Sequence, residues 1–366
     1  MQLGTHADTL TAYADALRSW DSPGRVVSVA LDLRGRGDAR PAAYTLLTEA
    51  LSAVGFPPVH PLGEQIGTAV RTAKADGAEG LFIASDAEGR YWVEVATPWP
   101  PRNDVRVGDA PWLVEVERLR YLSGQPVVVV DVELHSAHIT RIAAMAAQTA
   151  ESIHDPRGTR SVHGRTATEG RGDAGTGLGG HSRNRADHIV EEHRTAAGRD
   201  AARAIESLLR SGDLLVVAGV AEARAHLLAE LPPLVAQAAL TQHAPGPEAD
   251  RHWPTALAFA ASERCRVEAG DALAGSWVRN PGSFVRGVSG VAEAASQMKV
   301  AELVIHEDAV AHWGTALDAR RHAGIGSDEA INRALRATVS SGGIVAFCRW
   351  PKLLEEHQGV AARLRW

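Results

Sequence analysis

A chain of 366 residues is too long for one ordinary hydrophobic core and calls for two or three domains. Hydrophobic residues at 45% and charged residues at 22% are those of a globular protein, which excludes a chain that is fibrous or unfolded throughout. A net charge of −6 counts against wholesale coating of nucleic acid, and the distribution of charge decides more than its total.

The two cysteines, Cys265 and Cys348, form no CxxC and stand far apart. That spacing argues against a disulfide framework and a zinc ribbon, and fits a reducing cytosol. Lys74, Lys299 and Lys352 are the only lysines among 38 basic residues. The codon usage of a GC-rich genome accounts for this arginine bias more simply than selection for phosphate forks does. The opening MQLGTHADTL has no basic stretch followed by an apolar run, and no segment reaches the ~20 apolar residues of a membrane span. A cytoplasmic protein is expected.

The first expected domain is 1–124. Arg25 to Leu33 reads as a strand from its β-branched run. The basic loop Arg34-Gly-Arg-Gly-Asp-Ala-Arg40 follows, and Pro41 and Ala42 open a helix with Leu46, Leu47, Leu51 and Val54 on its apolar face. A second helix spans about Leu62 to Ala75. Gly80 to Ala84 and Tyr91 to Val95 flank Asp86-Ala-Glu-Gly89 as a hairpin. Pro98, Pro100 and Pro101 are expected to end the regular structure of this domain, leaving a short segment around Pro111-Trp112-Leu113.

The second expected domain, 125–250, begins with Pro126-Val-Val-Val-Val-Asp131, a continuous apolar run suited to the centre of a covered sheet. Ala137 to Ile142 is its hairpin partner. Residues 154–183 differ in kind. Between Arg157 and Arg185 lie eight glycines, six arginines, two acids and only Val162 and Leu178 as large apolar residues. Such a segment cannot bury enough surface to fold on its own and predicts a long, flexible, basic loop. A helix of about seven turns is expected from near Arg183 to Ser211, with Ile189, His193, Ala197, Ala201, Ala204 and Leu208 as its buried stripe. Leu214 to Gly219 is the next strand and Ala221 to Leu231 the next helix.

The third expected domain is 251–366. It holds a helix from about Thr255 to Glu268, the strand Glu302 to Ile305, a helix from about Asp328 to Ser340, the strand Gly343 to Phe347 and the tail Gly359 to Trp366. Alternation of strands and helices implies an α/β sandwich.

The basic loop ends in Gly179-Gly180-His181-Ser182-Arg183-Asn184-Arg185 and runs into the long helix. Paired glycines let backbone approach a tight surface without a Cβ, and flanking arginines can grip phosphates. Folded out and back, ~30 residues reach up to ~50 Å at ~3.4 Å per residue.

The order of core strand with hairpin, long loop ending in Gly-Gly-X-Ser with arginines, long helix and Leu-Val-Val-Ala-Gly strand resembles the central domain of class-1 release factors of archaea and eukaryotes and of Pelota. It resembles their bacterial relatives as well. Gly80-Leu-Phe-Ile-Ala84, Asn103-Asp-Val-Arg-Val-Gly108 with Pro111, and Val127-Val-Val-Val-Asp131 are similar to the bacterial branch, as are Gly343-Ile-Val-Ala-Phe347 and Gly359-Val-Ala-Ala-Arg-Leu-Arg-Trp366. The resemblance covers nearly the whole chain, and the shared order of the patches is its specific part. It implies an α/β, three-domain release-factor and Pelota-like architecture, with a ribonuclease-H-like central domain and a ribosomal-protein-like C-terminal α/β/α sandwich. Release factors carry Gly-Gly-Gln at the loop tip, where this chain has His181. A glutamine offers a neutral amide, whereas imidazole has a different reach and titrates near pH ~6.5.

Among bacterial relatives without the hydrolytic tip, the chain resembles ribosome hibernation factors of the Balon type, in their actinobacterial form. The resemblance implies a cytoplasmic stress and dormancy factor in the A site of the 70S ribosome, delivered with or beside elongation factor Tu. The first domain would lie on 16S rRNA at the decoding centre and the loop near the peptidyl transferase centre of 23S rRNA. It implies no membrane, no DNA, no cofactor, no metal and no catalytic residue. If the chain is a hydrolase instead, Gly179, Gly180 and His181 are the tip. The expected RNA contacts are Arg165, Arg171, Gly179, Gly180, His181, Ser182, Arg183 and Arg185, with Arg34, Arg36 and Arg40 in the first domain.

Other signals have plainer explanations. Gly170-Arg-Gly-Asp-Ala-Gly175 matches GxGxxG, but no strand precedes it and no helix begins there. His188 and His193 are five residues apart and diverge by about 140° on a helix, so they do not form a metal pair. Asp131 and Glu133 sit where a ribonuclease-H-like nuclease keeps a metal-binding acid, but the strand Leu214 to Ala218 supplies no second one. Trp99, Trp112, Trp253, Trp277, Trp313 and Trp350 are expected in packing rather than in base stacking.

Overall fold

A computed structural model of the chain describes residues 3–6, 9–21, 24–34, 52, 61–133, 136–143, 146–154, 195–243, 253–279, 284–309, 325–349, 354 and 358–366. By their contacts these form two compact units, Met1–Gly124 with Arg264–Trp366, and Gln125–Glu263. The fold is α/β, built on three sheets.

In the first unit, β1 (Leu3–His6), β2 (Val26–Asp32), β3 (Gly80–Asp86), β4 (Tyr91–Thr97) and β5 (Asp104–Gly108) form a sheet in the order β1-β4-β3-β2-β5. Its register sets Val29 opposite both Ile83 and Val105. Alternation then sends Val27, Val29, Leu31, Leu81, Ile83 and Val105 to one face. There Leu62, Ile66, Ala69 and Ala73 of helix α2 (Pro61–Ala75) cover them; α1 is Leu10–Arg18. Tyr13 of α1 is buried, with its ring 6.0 Å from that of Phe82. Thr9 caps α1 by accepting the Ala12 N–H at 3.1 Å.

The expectation that the prolines near 100 end regular structure is corrected here. Chain continues into β5, antiparallel to β2, and into helix α3 (Val114–Leu122). Proline removes a donor only at its own position, and Pro98, Pro100 and Pro101 precede the strand rather than interrupt it.

The same unit holds a four-stranded sheet of β11 (Phe284–Arg286), β12 (Val300–His306), β13 (Ile344–Cys348) and β14 (Val360–Leu364), in the order β11-β14-β12-β13. Helices α8 (Val288–Ser296) and α9 (Ile325–Ser340) accompany it. Trp277 and Ala274 pack against Val304, Ala346 and Ala361. The helix expected to stop near Glu268 runs as α7 from Trp253 to Arg279. Gly270 of α7 explains the choice of residue: a Cβ there would collide with the Phe347 carbonyl.

The second unit is a five-stranded sheet of β6 (Val127–Val132), β7 (Ser136–Ala143), β8 (Ala146–His154), β9 (Leu214–Gly219) and β10 (Leu240–Gln242), in the order β10-β9-β6-β7-β8. The apolar run of β6 is central and covered on both faces. Val128 and Val130 meet Ala201, Ala202 and Ile205 of helix α4 (195–208) and Leu227 of α5 (Ala221–Glu230). Val127 and Val129 meet Ala258 and Ala261, with Trp253 and Leu257 packed alongside. α6 is Pro233–Ala238.

Two expectations change here. The buried residues of α4 are Gly198, Ala201, Ala202 and Ile205, while Ala197, Ala204 and Leu208 are half-buried. The stripe is rotated toward Ile205 because that branched side chain buries more apolar area than an alanine. The helix ends at 208, and its expected stretch before 195, with Ile189 and His193, lies outside the described residues. A third strand, β8, follows β7, where the sequence marked only one hairpin partner.

Candidate RNA-contacting site

Arg165, Arg171, Gly179, Gly180, His181, Ser182, Arg183 and Arg185 lie outside the described residues, as do Arg36 and Arg40. So do the Gly170 to Gly175 motif, His188, Trp313 and Trp350. What the structure supplies is the mounting of the segment that carries them. It leaves at the end of β8, the outermost strand, where His154 pairs with Ser136. It returns into α4 at 195. Ser136 and Ala137 share a narrow cleft with Ala197 and Gly198. The end of β8 and the start of α4 therefore stand at one corner of the sheet. α4 packs on α5 beside Gly198, where even a Cβ would make only an ordinary contact with the His226 carbonyl at 3.6 Å.

This corner is firmly built. Gly219 closes β9 at φ +144°, and a Cβ there would collide with the Val132 carbonyl. At the far end of β7 and β9, Arg141 forks onto Asp213, with Nε at 2.7 Å and Nη2 at 3.0 Å from its oxygens, both side chains buried.

Arg34 in the first unit is exposed and grips Asp32 of its own strand, with Nη2 3.0 Å from Oδ2. The hydrogen bond to Asp32 raises its pKa further. Its charge is thus shared before any phosphate arrives.

Asp131 and Glu133 lie at the end of β6, and Asp131 stands opposite His138 in the register. Burial raises the Asp131 carboxyl, and Glu133 adds to this while His138 opposes it. Glu133 accepts the Ser136 hydroxyl at 2.9 Å. Among the described residues, no group of three or more His, Cys, Asp or Glu side chains is placed to hold a metal ion. Trp99, Trp112 and Trp277 are buried and Trp253 half-buried, in packing positions as expected. Both cysteines are free, and burial pushes the Cys348 thiol up to about 12, where it is not nucleophilic. Among the described residues no helix is long and apolar enough to cross a membrane.

One constellation went unread in the sequence. Glu307 is buried, and its Oε2 accepts Arg102 Nη2 at 2.6 Å and Arg349 Nε at 2.8 Å. Arg118 forks onto Glu115 at 2.6 and 2.8 Å and lies 3.8 Å from Glu307. Burial alone would raise the Glu115 carboxyl, but Arg118 and Arg102 hold it below its usual value. Arg102, Glu115 and Arg118 belong to the N-terminal sheet region, Glu307 and Arg349 to the C-terminal sheet. Nothing in the sequence marks Glu115, Glu117 and Arg118 for burial; the structure shows all three buried in the short helix α3.

No protein-family profile matches this chain, and no curated protein matches it. Solved structures do. Pelota of Archaeoglobus fulgidus is similar at 16% identity, over 98% of this chain and 93% of that one, with a TM-score of 0.41. The archaeal translation termination factor aRF1 is similar at 15% identity over 99% of both chains, with a TM-score of 0.25. Dom34 of S. cerevisiae is similar at 12% identity, over 69% of this chain and 66% of that one, with a TM-score of 0.33. These identities and scores are too low to transfer a role.

Proposed function

We propose that this chain is a ribosome-binding factor of the release-factor and Pelota type that docks in the ribosomal A site and holds idle ribosomes, without catalysing a reaction. The ordered series of sequence patches supports this reading. The observation that carries it is the mounting of residues 155–194. A segment rich in glycine and arginine leaves the edge strand β8 and re-enters a core helix at one corner of a covered sheet. A rigid base with a basic, glycine-softened reach suits insertion among phosphates.

In this account the segment occupies space near the peptidyl transferase centre, the first unit's Arg34, Arg36 and Arg40 approach small-subunit RNA, and elongation factor Tu is the delivering partner. Actinobacterial hibernation factors of the Balon type are the relatives whose role this matches. The second reading, a rescue factor that hydrolyses peptidyl-tRNA, is favoured by the glycine pair Gly179 and Gly180 alone. It needs His181 to replace an amide with an imidazole, which changes both reach and charge.

Ribosomes carrying peptidyl-tRNA separate the two. Addition of the protein is expected to release no more peptide than buffer does, for wild type and for His181→Ala alike. Fast release by wild type that is lost in His181→Ala would establish the hydrolase.

A further inference from the structure

The first unit contains a second place suited to a ligand, away from every residue assigned above to RNA. A pocket of about 410 Å³ lies between β5 with the segment after it and one face of α9. That is within the size range of small-molecule sites. Its lining includes Trp112, with the Arg106 guanidinium 4.7 Å over the ring. Arg106 is fully engaged, reaching Asp104 at 3.0 Å and Asp328 at 2.9 Å. Val107, Ala110 and Ala337 add apolar wall.

Arg336 is different. It is half-buried, and Nη1 donates to the Leu17 carbonyl at 3.1 Å and the Pro111 carbonyl at 3.4 Å. No carboxylate pairs with it among the described residues. Burial alone lowers its pKa, with no acid offsetting that effect. Asp109, on the same rim, is exposed and does not compensate it. Arg333, also on the rim, is spread toward Glu329 at 3.3 Å in an exposed pair, which contributes little. A guanidinium held half out of water without a counter-ion carries an unmet electrostatic cost, and an oxyanion that accepts from its planar fork meets it.

We infer that this pocket binds a small organic oxyanion, its phosphate or carboxylate on Arg336 and its flat or apolar body against the Trp112 and Arg106 wall. Both head groups offer the same paired oxygens to the fork. This site does not depend on ribosome binding, and its test uses the isolated full chain.

Calorimetric titration with AMP and with benzoate distinguishes the two head groups on a flat body. Saturable heat is expected for at least one, with half-saturation at or below about 1 mM. The responding compound identifies the head group. Arg336→Gln is expected to weaken binding at least tenfold. Because Arg336 also supports two carbonyls, Arg333→Glu serves as a variant on an exposed side chain that leaves the core intact. The carboxylate it places on the rim is expected to weaken binding at least threefold. Absence of saturable heat with both compounds overturns the inference. Unchanged affinity in either variant overturns it as well.

Discussion

Asp104 is the acid where burial and pairing compete most openly. It is buried at 3% exposure, and Arg106 Nε lies 3.0 and 3.1 Å from its two oxygens. Burial wins and pushes the carboxyl up to about 6, against the pull of Arg106. The folded chain therefore keeps this proton to about pH 6, whereas an unfolded aspartate releases it near pH ~3.9. A folded state that binds the extra proton loses stability as pH rises between those values and loses no more above them. The stability of wild type relative to Asp104→Asn is expected to fall by on the order of 1–3 kcal/mol between pH 4 and pH 7. Urea denaturation at a series of pH values checks this, and a difference that does not vary with pH contradicts it. None of this was legible in sequence, where Asp104 stood only as part of a motif patch. The competition arises from β5 pairing into the sheet, which the three prolines before it concealed.

At the scale of elements, strands announced by β-branched runs were legible: Val26–Asp32, Val127–Val132 and Leu214–Gly219 fall where the pattern put them. β8, which has no such run, was not. β8 reads Ala-Ala-Gln-Thr-Ala-Glu-Ser-Ile-His, a composition that fits helix as well as strand, and only pairing with β7 makes it a strand. The Glu307 cluster was illegible for a related reason, since its members are separated by up to about 250 positions along the chain and only the fold unites them.

Its energetic weight should exceed that of a surface pair by a clear margin. Glu307→Gln leaves Arg102 and Arg349 with an amide in place of a buried carboxylate and is expected to destabilise the first unit by about 3 kcal/mol. Glu302→Gln, which breaks the more exposed pair with Arg363, should cost below about 1 kcal/mol. Equal shifts in denaturation midpoint for the two variants would show that the buried cluster has no special role in joining the sheets.

For the whole molecule, the partition of charge matters more than its total. The chain is acidic overall, yet the stretch from Arg157 to Arg185 carries six arginines against two acids. Composition made that asymmetry legible, and the glycine spacing suggested a reach. The anchoring of both ends at one corner of a five-stranded sheet was not legible, because it depends on β8 being the edge strand. The proposed ribosome binding through this segment is expected to weaken steeply as salt rises, because each phosphate neutralised releases counterions.

Co-sedimentation of the full chain with purified 70S ribosomes across a salt series tests this most directly. Wild type is expected to pellet with ribosomes at low ionic strength. The variant with Arg165, Arg171, Arg183 and Arg185 all replaced by alanine should bind at least tenfold more weakly, with a shallower dependence on salt. Wild type left in the supernatant at the lowest salt, or a variant that binds as tightly and with the same salt slope, would contradict the account.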